Sequence, residues 1–293
     1  MKSLDKVLIL GGSGFIGQEL VSALDFHMIA PIRKMSNQNN LILRDSVEYI
    51  EFNEFMIADA LKKCKVVLYL IEDISFLQER APDFKKYTSE IFLHKILERL
   101  TNHHHIVYMS SRLVYGPKFN FPVKETDKLD PDTLYGKSKL YHENLITSKS
   151  NEYGFSYTIL RPTNVYTLKK RTTSNNIINV FYKAIIEQRE LCVYGSGNQI
   201  RDYANVDVLS ILLSIILKSK GSNDVINVGS SIGTSINEIV EIFQEFSRNS
   251  FKVKQVDVNV DEGTFIADCS KMRGLIDVST SLKCDVATLL ECE

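Results

Sequence analysis

A chain of 293 residues in which 44% are hydrophobic has material for one large core, or for a core and a smaller lobe. Its 35 basic and 36 acidic side chains nearly cancel, which argues against a nucleic-acid surface and leaves small molecules as the expected partners. The five cysteines, Cys64, Cys192, Cys269, Cys284 and Cys292, follow no paired spacing, which suits reduced thiols in a cytoplasmic protein better than disulfides or zinc.

Lys6 to Leu10 is a short, continuous apolar run, as a buried parallel strand should be. The charges before it and the glycines after it are unlike a secretory leader, and the longest apolar run, near Ile211 to Leu217, is too short to cross a bilayer. The strand leads into Gly11-Gly12-Ser13-Gly14-Phe15-Ile16-Gly17 and a helical pattern of Phe15, Ile16, Leu20, Val21 and Leu24. Strand, glycine turn and helix together form the context of a dinucleotide fingerprint. The glycines let the backbone approach a pyrophosphate, which rests on amides at the helix N-terminus. Gly11, Gly14, Phe15, Ile16 and Gly17 are therefore candidate cofactor contacts.

The next strand, His27 to Ile32, delivers Arg33 and Lys34 to the place where an NAD site usually carries an acid for the ribose 2'-hydroxyl. Two cations suit a 2'-phosphate, which favours NADP over NAD. Further strands are expected at Val47 to Phe52 and Val66 to Ile71, with helices at Phe55 to Lys63 and Pro82 to Leu100. This alternation implies a doubly wound parallel α/β sheet. His103, His104 and His105 have no acid or thiol close by in sequence, and no metal site is expected there. The strand Ile106 to Met109 ends in Ser110 and Ser111, hydroxyls placed where open α/β sheets bind ligands.

Tyr135-Gly136-Lys137-Ser138-Lys139 opens a helix that runs to Tyr153, and its four-residue spacing turns Tyr135 and Lys139 to one face. A free phenol has a pKa of about 10. An ammonium at ~4 Å, at an effective dielectric of ~20, stabilises the phenolate by roughly 4 kcal/mol, equivalent to about three pKa units. Such a pair makes a general base.

A strand at Tyr157 to Leu160 ends in Arg161-Pro162-Thr163-Asn164-Val165-Tyr166, and the basic stretch with Lys169, Lys170 and Arg171 leaves the sheet for a smaller lobe. A helix from Asn175 to Glu187 precedes Leu191 to Gly197 and Arg201-Asp202-Tyr203. Val208 to Leu217 reads as a helix and Val225 to Val228 as a strand. Ser235 and Glu238 have capping-box spacing for a helix to Phe246. The tail is expected to add a strand at Phe251 to Val258 and two short helices between Asp268 and Leu290. The expected division is a dinucleotide-binding domain at 1–164, to which 203–230 returns, and a substrate-binding lobe built mainly from 165–293.

Five motifs in this order, Gly11 to Gly17, Ser110 to Gly116, Tyr135 to Lys139, Arg161 to Tyr166 and Tyr194 to Asp207, resemble the extended short-chain dehydrogenase/reductases, the NAD-dependent epimerase/dehydratase family. The resemblance implies a Rossmann-type sheet with a smaller C-terminal substrate-binding lobe, commonly in a homodimer, acting on a nucleotide-diphosphate sugar. It further implies Ser111 as the catalytic hydroxyl, Tyr135 as the acid/base and Lys139 as the cation that tunes it and binds the nicotinamide ribose. Asn164 and Arg201 would contact the sugar diphosphate, and the Asn53 carbonyl would meet the adenine amino group.

Departures from the family pattern narrow the expected chemistry. Arg112 and Leu113 stand where sugar 4,6-dehydratases carry Asp and Glu. The fourth strand ends in Leu70-Ile71-Glu72-Asp73 rather than His or Thr followed by alanines, and the usual Asn is missing near Tyr87 and Thr88. The expectation is a nucleotide-sugar 4-ketoreductase using NADP. An NAD-dependent 4-epimerase is the alternative, and a non-catalytic cofactor sensor is a remote one.

Overall fold

Continuous apolar runs become the strands of the central sheet because a parallel strand covered on both faces has no solvent side to alternate toward. In the computed structural model, residues 6–33, 41–73, 75–79, 83–118, 120–169, 176–219, 221–248, 250–258, 263–278 and 281–291 are described. Lys34, Pro82, Lys170, Arg171 and Cys292 lie outside them. The chain divides into two compact units, Met1–Gly116 with Lys128–Arg161 and Ser210–Ile226, and Pro117–Asp127 with Pro162–Leu209 and Asn227–Glu293. The division sends 117–127, read above with the first domain, to the second unit.

The first unit holds β1 (Lys6–Leu10), α1 (Phe15–Ala23), β2 (Met28–Ile32), β3 (Val47–Glu51), α2 (Glu54–Lys63), β4 (Cys64–Tyr69), α3 (Thr88–Leu97), β5 (His105–Met109), α4 (Leu134–Tyr153) and β6 (Ser156–Pro162). With β10 (Asp224–Val228) these strands form a seven-stranded sheet in the order β10-β6-β5-β4-β1-β2-β3. Neighbours from β1 to β6 pair parallel, with Ile29, Leu8, Val67, Ile106 and Tyr157 aligned across the sheet. Leu8, Val67 and Ile106 are fully buried, and the carboxyl ends of the parallel strands share one edge.

The expected helix from Pro82 is shorter than its pattern. A 3-10 turn at Phe84–Lys86, capped by Asp83 accepting from the Lys85 amide at 3.2 Å, is followed by an extended Tyr87 (φ -82, ψ 150), and α3 starts only at Thr88. A local carboxylate acceptor turns the chain before the apolar periodicity can take it into a helix.

The second unit contains β7 (Asn164–Tyr166), α5 (Ile177–Ile186), β8 (Leu191–Tyr194), β9 (Ile200–Asn205), β11 (Gly233–Ser235), α7 (Ile236–Phe246), β12 (Val253–Val256), α8 (Ser270–Arg273) and α9 (Leu282–Glu291). The helix α6 (Val206–Ile216) crosses the division. A three-stranded sheet β11-β9-β7 and a parallel pair β12-β8 accompany a core of Tyr166, Phe181, Phe243 and Leu289. The capping box forms: the Ser235 amide donates to Glu238 Oε2 at 2.7 Å and the Glu238 amide to Ser235 Oγ at 3.1 Å.

Among the described residues, Cys64, Cys192, Cys269 and Cys284 are free, with burial pushing the Cys64 and Cys269 thiols up to about 12. No described helix is long and apolar enough to cross a membrane.

Candidate active site

At the carboxyl end of β1 the backbone needs glycine for steric reasons. Gly11 sits at φ +95, and a Cβ there would come within 3.0 Å of the Leu70 backbone. A Cβ on Gly17 would collide with the Gly11 carbonyl oxygen and lie 2.7 Å from Gly12 Cα, so α1 crosses the turn only because that position is bare. Gly14 caps α1 without a side-chain hydrogen bond, and a Cβ there would meet only the Gly11 oxygen at 3.4 Å. First-turn amides without a side-chain acceptor, next to an open glycine, fit a pyrophosphate. Phe15 and Ile16 form the first turn of α1 and hold these amides in place.

Two strands from β1, across β4, β5 ends at Ser110 and Ser111. Ser111 caps a 3-10 turn, Arg112–Tyr115, by accepting from the Leu113 amide at 3.2 Å. The turn closes at Gly116, φ +66, where a Cβ would strike the Asp130 carbonyl oxygen. Thr133 caps α4 by accepting from the Gly136 amide at 3.0 Å. The first turn of α4 is pressed against the Ser111 turn at Gly136, whose Cβ would run into the Leu113 carbonyl oxygen. That close approach brings Tyr135 and Lys139 to the strand end that carries Ser111.

Lys139 is buried, 3% exposed. Its Nζ donates to the Met109 carbonyl at 2.9 Å, and lies 5.4 Å from the Tyr135 ring centroid and 5.1 Å from that of Tyr108. It also forms an ion pair of 2.5 Å with Glu72 Oε2. Burial opposes its charge, but the Tyr135 phenol and the Glu72 carboxylate hold its pKa above the ordinary lysine value.

Sequence reasoning noted Glu72 only as a departure and gave it no role. It missed the network behind it as well. Ser138 Oγ donates to Glu72 Oε1 and Glu90 Oε1, each at 3.3 Å. Glu90 also meets His142 Nε2 at 3.1 Å and the Ser89 hydroxyl at 2.7 Å, while Tyr108 and His142 Nδ1 are 2.8 Å apart. Burial opposes the charge on Glu90, yet the His142 and Ser89 hydrogen bonds keep its carboxyl below the usual range. Next to His142 on the same buried stripe of α4, Ser110 donates to Glu143, which Arg161 grips at two points, Nε at 3.1 Å and Nη2 at 2.7 Å. The signal available in the sequence was the spacing Lys139, His142, Glu143 on one helix face.

The remaining expected residues are placed as follows. Asn53 caps α2, its side-chain oxygen accepting from the Met56 amide at 2.8 Å, so the carbonyl expected to face adenine already has one partner. Arg33 is exposed just beyond β2. Hydrogen bonds from Ser75 hold the Asp73 carboxyl below its ordinary value, and the Arg33 guanidinium adds to that effect. Asn164 and Arg201 belong to the second unit, on the paired strands β7 and β9. Asn164 Nδ2 donates to the Asp202 carbonyl at 2.8 Å, and Arg201 Nη1 to the carbonyls of Ile200 (3.0 Å) and Gly263.

Residues 7–229 match the model of the NAD dependent epimerase/dehydratase family. A putative UDP-glucose 4-epimerase of Methanocaldococcus jannaschii is 26% identical over 259 residues, covering 81% of each chain. Among solved structures, the UDP-N-acetylglucosamine 4-epimerase of Methanobrevibacter ruminantium in complex with UDP-N-acetylmuramic acid superposes with a TM-score of 0.84 at 24% identity, over 99% of this chain and 98% of that one. The UDP-glucuronic acid 4-epimerase of Bacillus cereus, in complex with UDP-glucuronic acid and NAD, gives 0.82 at 24% identity over 98% of each. At that identity the two structures show a shared fold. The extent of the family match shows that this chain belongs to the NAD dependent epimerase/dehydratase family, a family of enzymes built on a Rossmann-type sheet.

Proposed function

We propose that this chain is an NAD-dependent nucleotide-sugar 4-epimerase. The observation that carries the reading is Lys139 and Tyr135 in the opening turns of α4, pressed through Gly136 against the Ser111 turn. Tyr135 takes the proton of the sugar 4-hydroxyl and later returns it. Ser111 donates a hydrogen bond to the same oxygen as its charge develops. Lys139 keeps a fixed positive charge beside the phenol. NAD held at the Gly11–Gly17 turn would supply a hydride acceptor and then a hydride donor at C4, so that the sugar would be inverted with no net consumption of cofactor.

The 4-ketoreductase expected from the sequence rested on Arg33 and Lys34 as a 2'-phosphate clamp, on the missing dehydratase acids and on the compact length. Lys34 lies outside the described residues, and Arg33 shares its field with Asp73. Similar proteins named as 4-epimerases, one of them with NAD bound, support the epimerase and NAD. Arg112 and Leu113 carry no carboxylate for an elimination of water. The reading extends to Asn164 and Arg201 as contacts of the nucleotide diphosphate, and to a cytoplasmic homodimer joined through α3 and α4, with exposed Ile91 on α3 as its support.

The test is incubation with UDP-glucose, UDP-glucuronic acid and UDP-N-acetylglucosamine, followed by proton NMR at C4 and absorbance at the reduced-nicotinamide band. Inversion without net absorbance change is expected for one of them. Stoichiometric NADPH consumption with nucleotide 4-keto-6-deoxyhexoses and no inversion would establish the reductase instead. Tyr135→Phe should abolish turnover and retain NAD.

A further inference from the structure

The carboxylate on Lys139 has no part in the chemistry just described, and it occupies a position that the sequence marks as irregular. Glu72 follows β4, where the chain leaves the sheet edge, and reaches the ammonium across 67 residues of sequence. Its side chain is 14% exposed against 4% for that of Lys139, so the carboxylate is the more solvent-accessible partner of a largely buried pair. We propose that Glu72 is a positioning residue, the counter-ion that holds the Lys139 ammonium charged and aimed at Tyr135. This rests on the reading of Tyr135 and Lys139 as the acid/base pair.

Three features of the geometry support the role. The first is that Lys139 has two fixed anchors, the Met109 carbonyl at 2.9 Å and Glu72 at 2.5 Å, and a lysine on a flexible stem held at two points has little freedom left. The second is that Glu72 is itself held, since Ser138 ties its other oxygen to Glu90 and through Glu90 to His142. The third is that the ammonium is out of water. A buried lysine without a carboxylate loses its proton far more readily than an exposed one.

The groups facing Lys139 come from every element packed around it. Glu72 after β4, Tyr108 of β5 and Tyr135 of α4 lie against the ammonium, and Tyr69 of β4, Glu90 of α3, and His142 and Glu143 of α4 lie behind them, Tyr69 and Glu143 interacting with Tyr108, Glu90 linked to Glu72 through Ser138, and His142 bonded to Glu90 and Tyr108. Tyr69 and Tyr108 are fully buried phenols whose pKa is pushed up by burial, so neither supplies a compensating negative charge. Glu90 is shared by His142 and Ser89. Glu143 is held by Arg161. Glu72 is the carboxylate in direct contact. The ligand atoms of Glu72, Glu90 and His142 lie within 4.8 Å of one another, as a metal would require, but the cation already present there is Lys139.

The experiment compares wild type, Glu72→Gln and Glu72→Asp by the pH dependence of NAD affinity, measured by fluorescence titration from pH 7 to 10, and of turnover where substrate is known. Removing the carboxylate charge takes away one of the two groups that hold the Lys139 proton against burial, and lowers the pH at which it is lost. Glu72→Gln should therefore lose NAD affinity about tenfold per pH unit above its new midpoint, while wild type stays level. Glu72→Asp keeps the charge and should follow wild type. Equal pH profiles for wild type and Glu72→Gln overturn the role of Glu72 and leave the Tyr135 and Lys139 reading untouched. Parallel losses in both variants likewise overturn it, because they assign Glu72 to shape rather than charge. If Lys139→Met binds NAD as wild type does at every pH, both this role and the reading beneath it fall.

Discussion

Replacing Gly136 by alanine puts the contact between α4 and the Ser111 turn to a direct test. In an unobstructed helix the change stabilises by about 1 kcal/mol, because alanine gives up less backbone entropy than glycine. Here the new methyl would run into the Leu113 carbonyl oxygen and stand 3.0 Å from both Leu113 C and Pro131 Cβ. Two of these three neighbours are backbone atoms and cannot rotate aside, so the helix or the turn must move. Overpacking of this kind costs about 1 to 3 kcal/mol, which equals or exceeds the propensity gain.

The functional cost should be larger than the loss of stability. A displacement of about 1 Å between reacting groups is enough for a loss of about 100-fold in rate. Gly154→Ala at the far end of the same helix is the control. Its φ of +79 makes alanine strained by about 1 kcal/mol, yet the nearest atom to a Cβ, Asn102 Cβ, is 3.6 Å away and far in sequence from the site. Urea unfolding and turnover measured on both variants should give comparable stability losses but a rate loss in Gly136→Ala alone. A Gly136→Ala protein as stable as wild type or more so, with unchanged turnover, would refute the claim that this contact positions Tyr135 and Lys139.

Glu143→Ala removes the carboxylate that grips buried Arg161 at two points, though Tyr115 still contacts its guanidinium, and removes the acceptor of Ser110; a loss of about 3 to 5 kcal/mol in urea unfolding is expected. His105, held between Ser156 (2.8 Å) and Thr158 (3.0 Å) on β6, has its pKa lowered to about 4 by burial. Because the unfolded chain takes up that proton first, at about 6.5, stability is present above that pH and is lost as pH falls toward 4, by about 3 kcal/mol in all. His105→Gln should remove that part of the acid dependence; an unchanged slope of unfolding free energy between pH 6.5 and 4 would count against the assignment.

How much of this was legible depends on how local the determining interaction is. The strand, glycine turn and helix at 6–23 could be read almost to the residue, since apolar run, bare backbone and helical period all lie within 18 positions. The capping box of Ser235 and Glu238 is equally local. By contrast β9 has the sequence Ile-Arg-Asp-Tyr-Ala-Asn, which carries no apolar run or clean alternation. Its Asp202 is fixed by Ser230, Ser231 and Ala267, all well downstream. The strand exists because partners distant in sequence pair with it. Glu72 was visible only as a mismatch, because its partner lies on α4, far along the chain.

The helix α4 shows why such long-range pairs matter for the chemistry. Its buried positions include Lys139, His142, Glu143, Ile146 and Ser150, a helical stripe that is polar for most of its length. An apolar stripe would tolerate a small slide, since dispersion contacts can re-form with new neighbours. This stripe cannot: an advance of one residue, 1.5 Å and about 100°, would part Lys139 from Glu72, His142 from Glu90 and Tyr108, and Glu143 from Arg161 together. Each separation would leave a buried polar or charged group unmatched, at a cost of about 1 to 3 kcal/mol or more. The ion pairs add little net stability over an apolar packing of the same volume. What they contribute is one allowed register for α4. An acid/base phenol that must meet a sugar oxygen within hydrogen-bond reach needs that register more than it needs the stability.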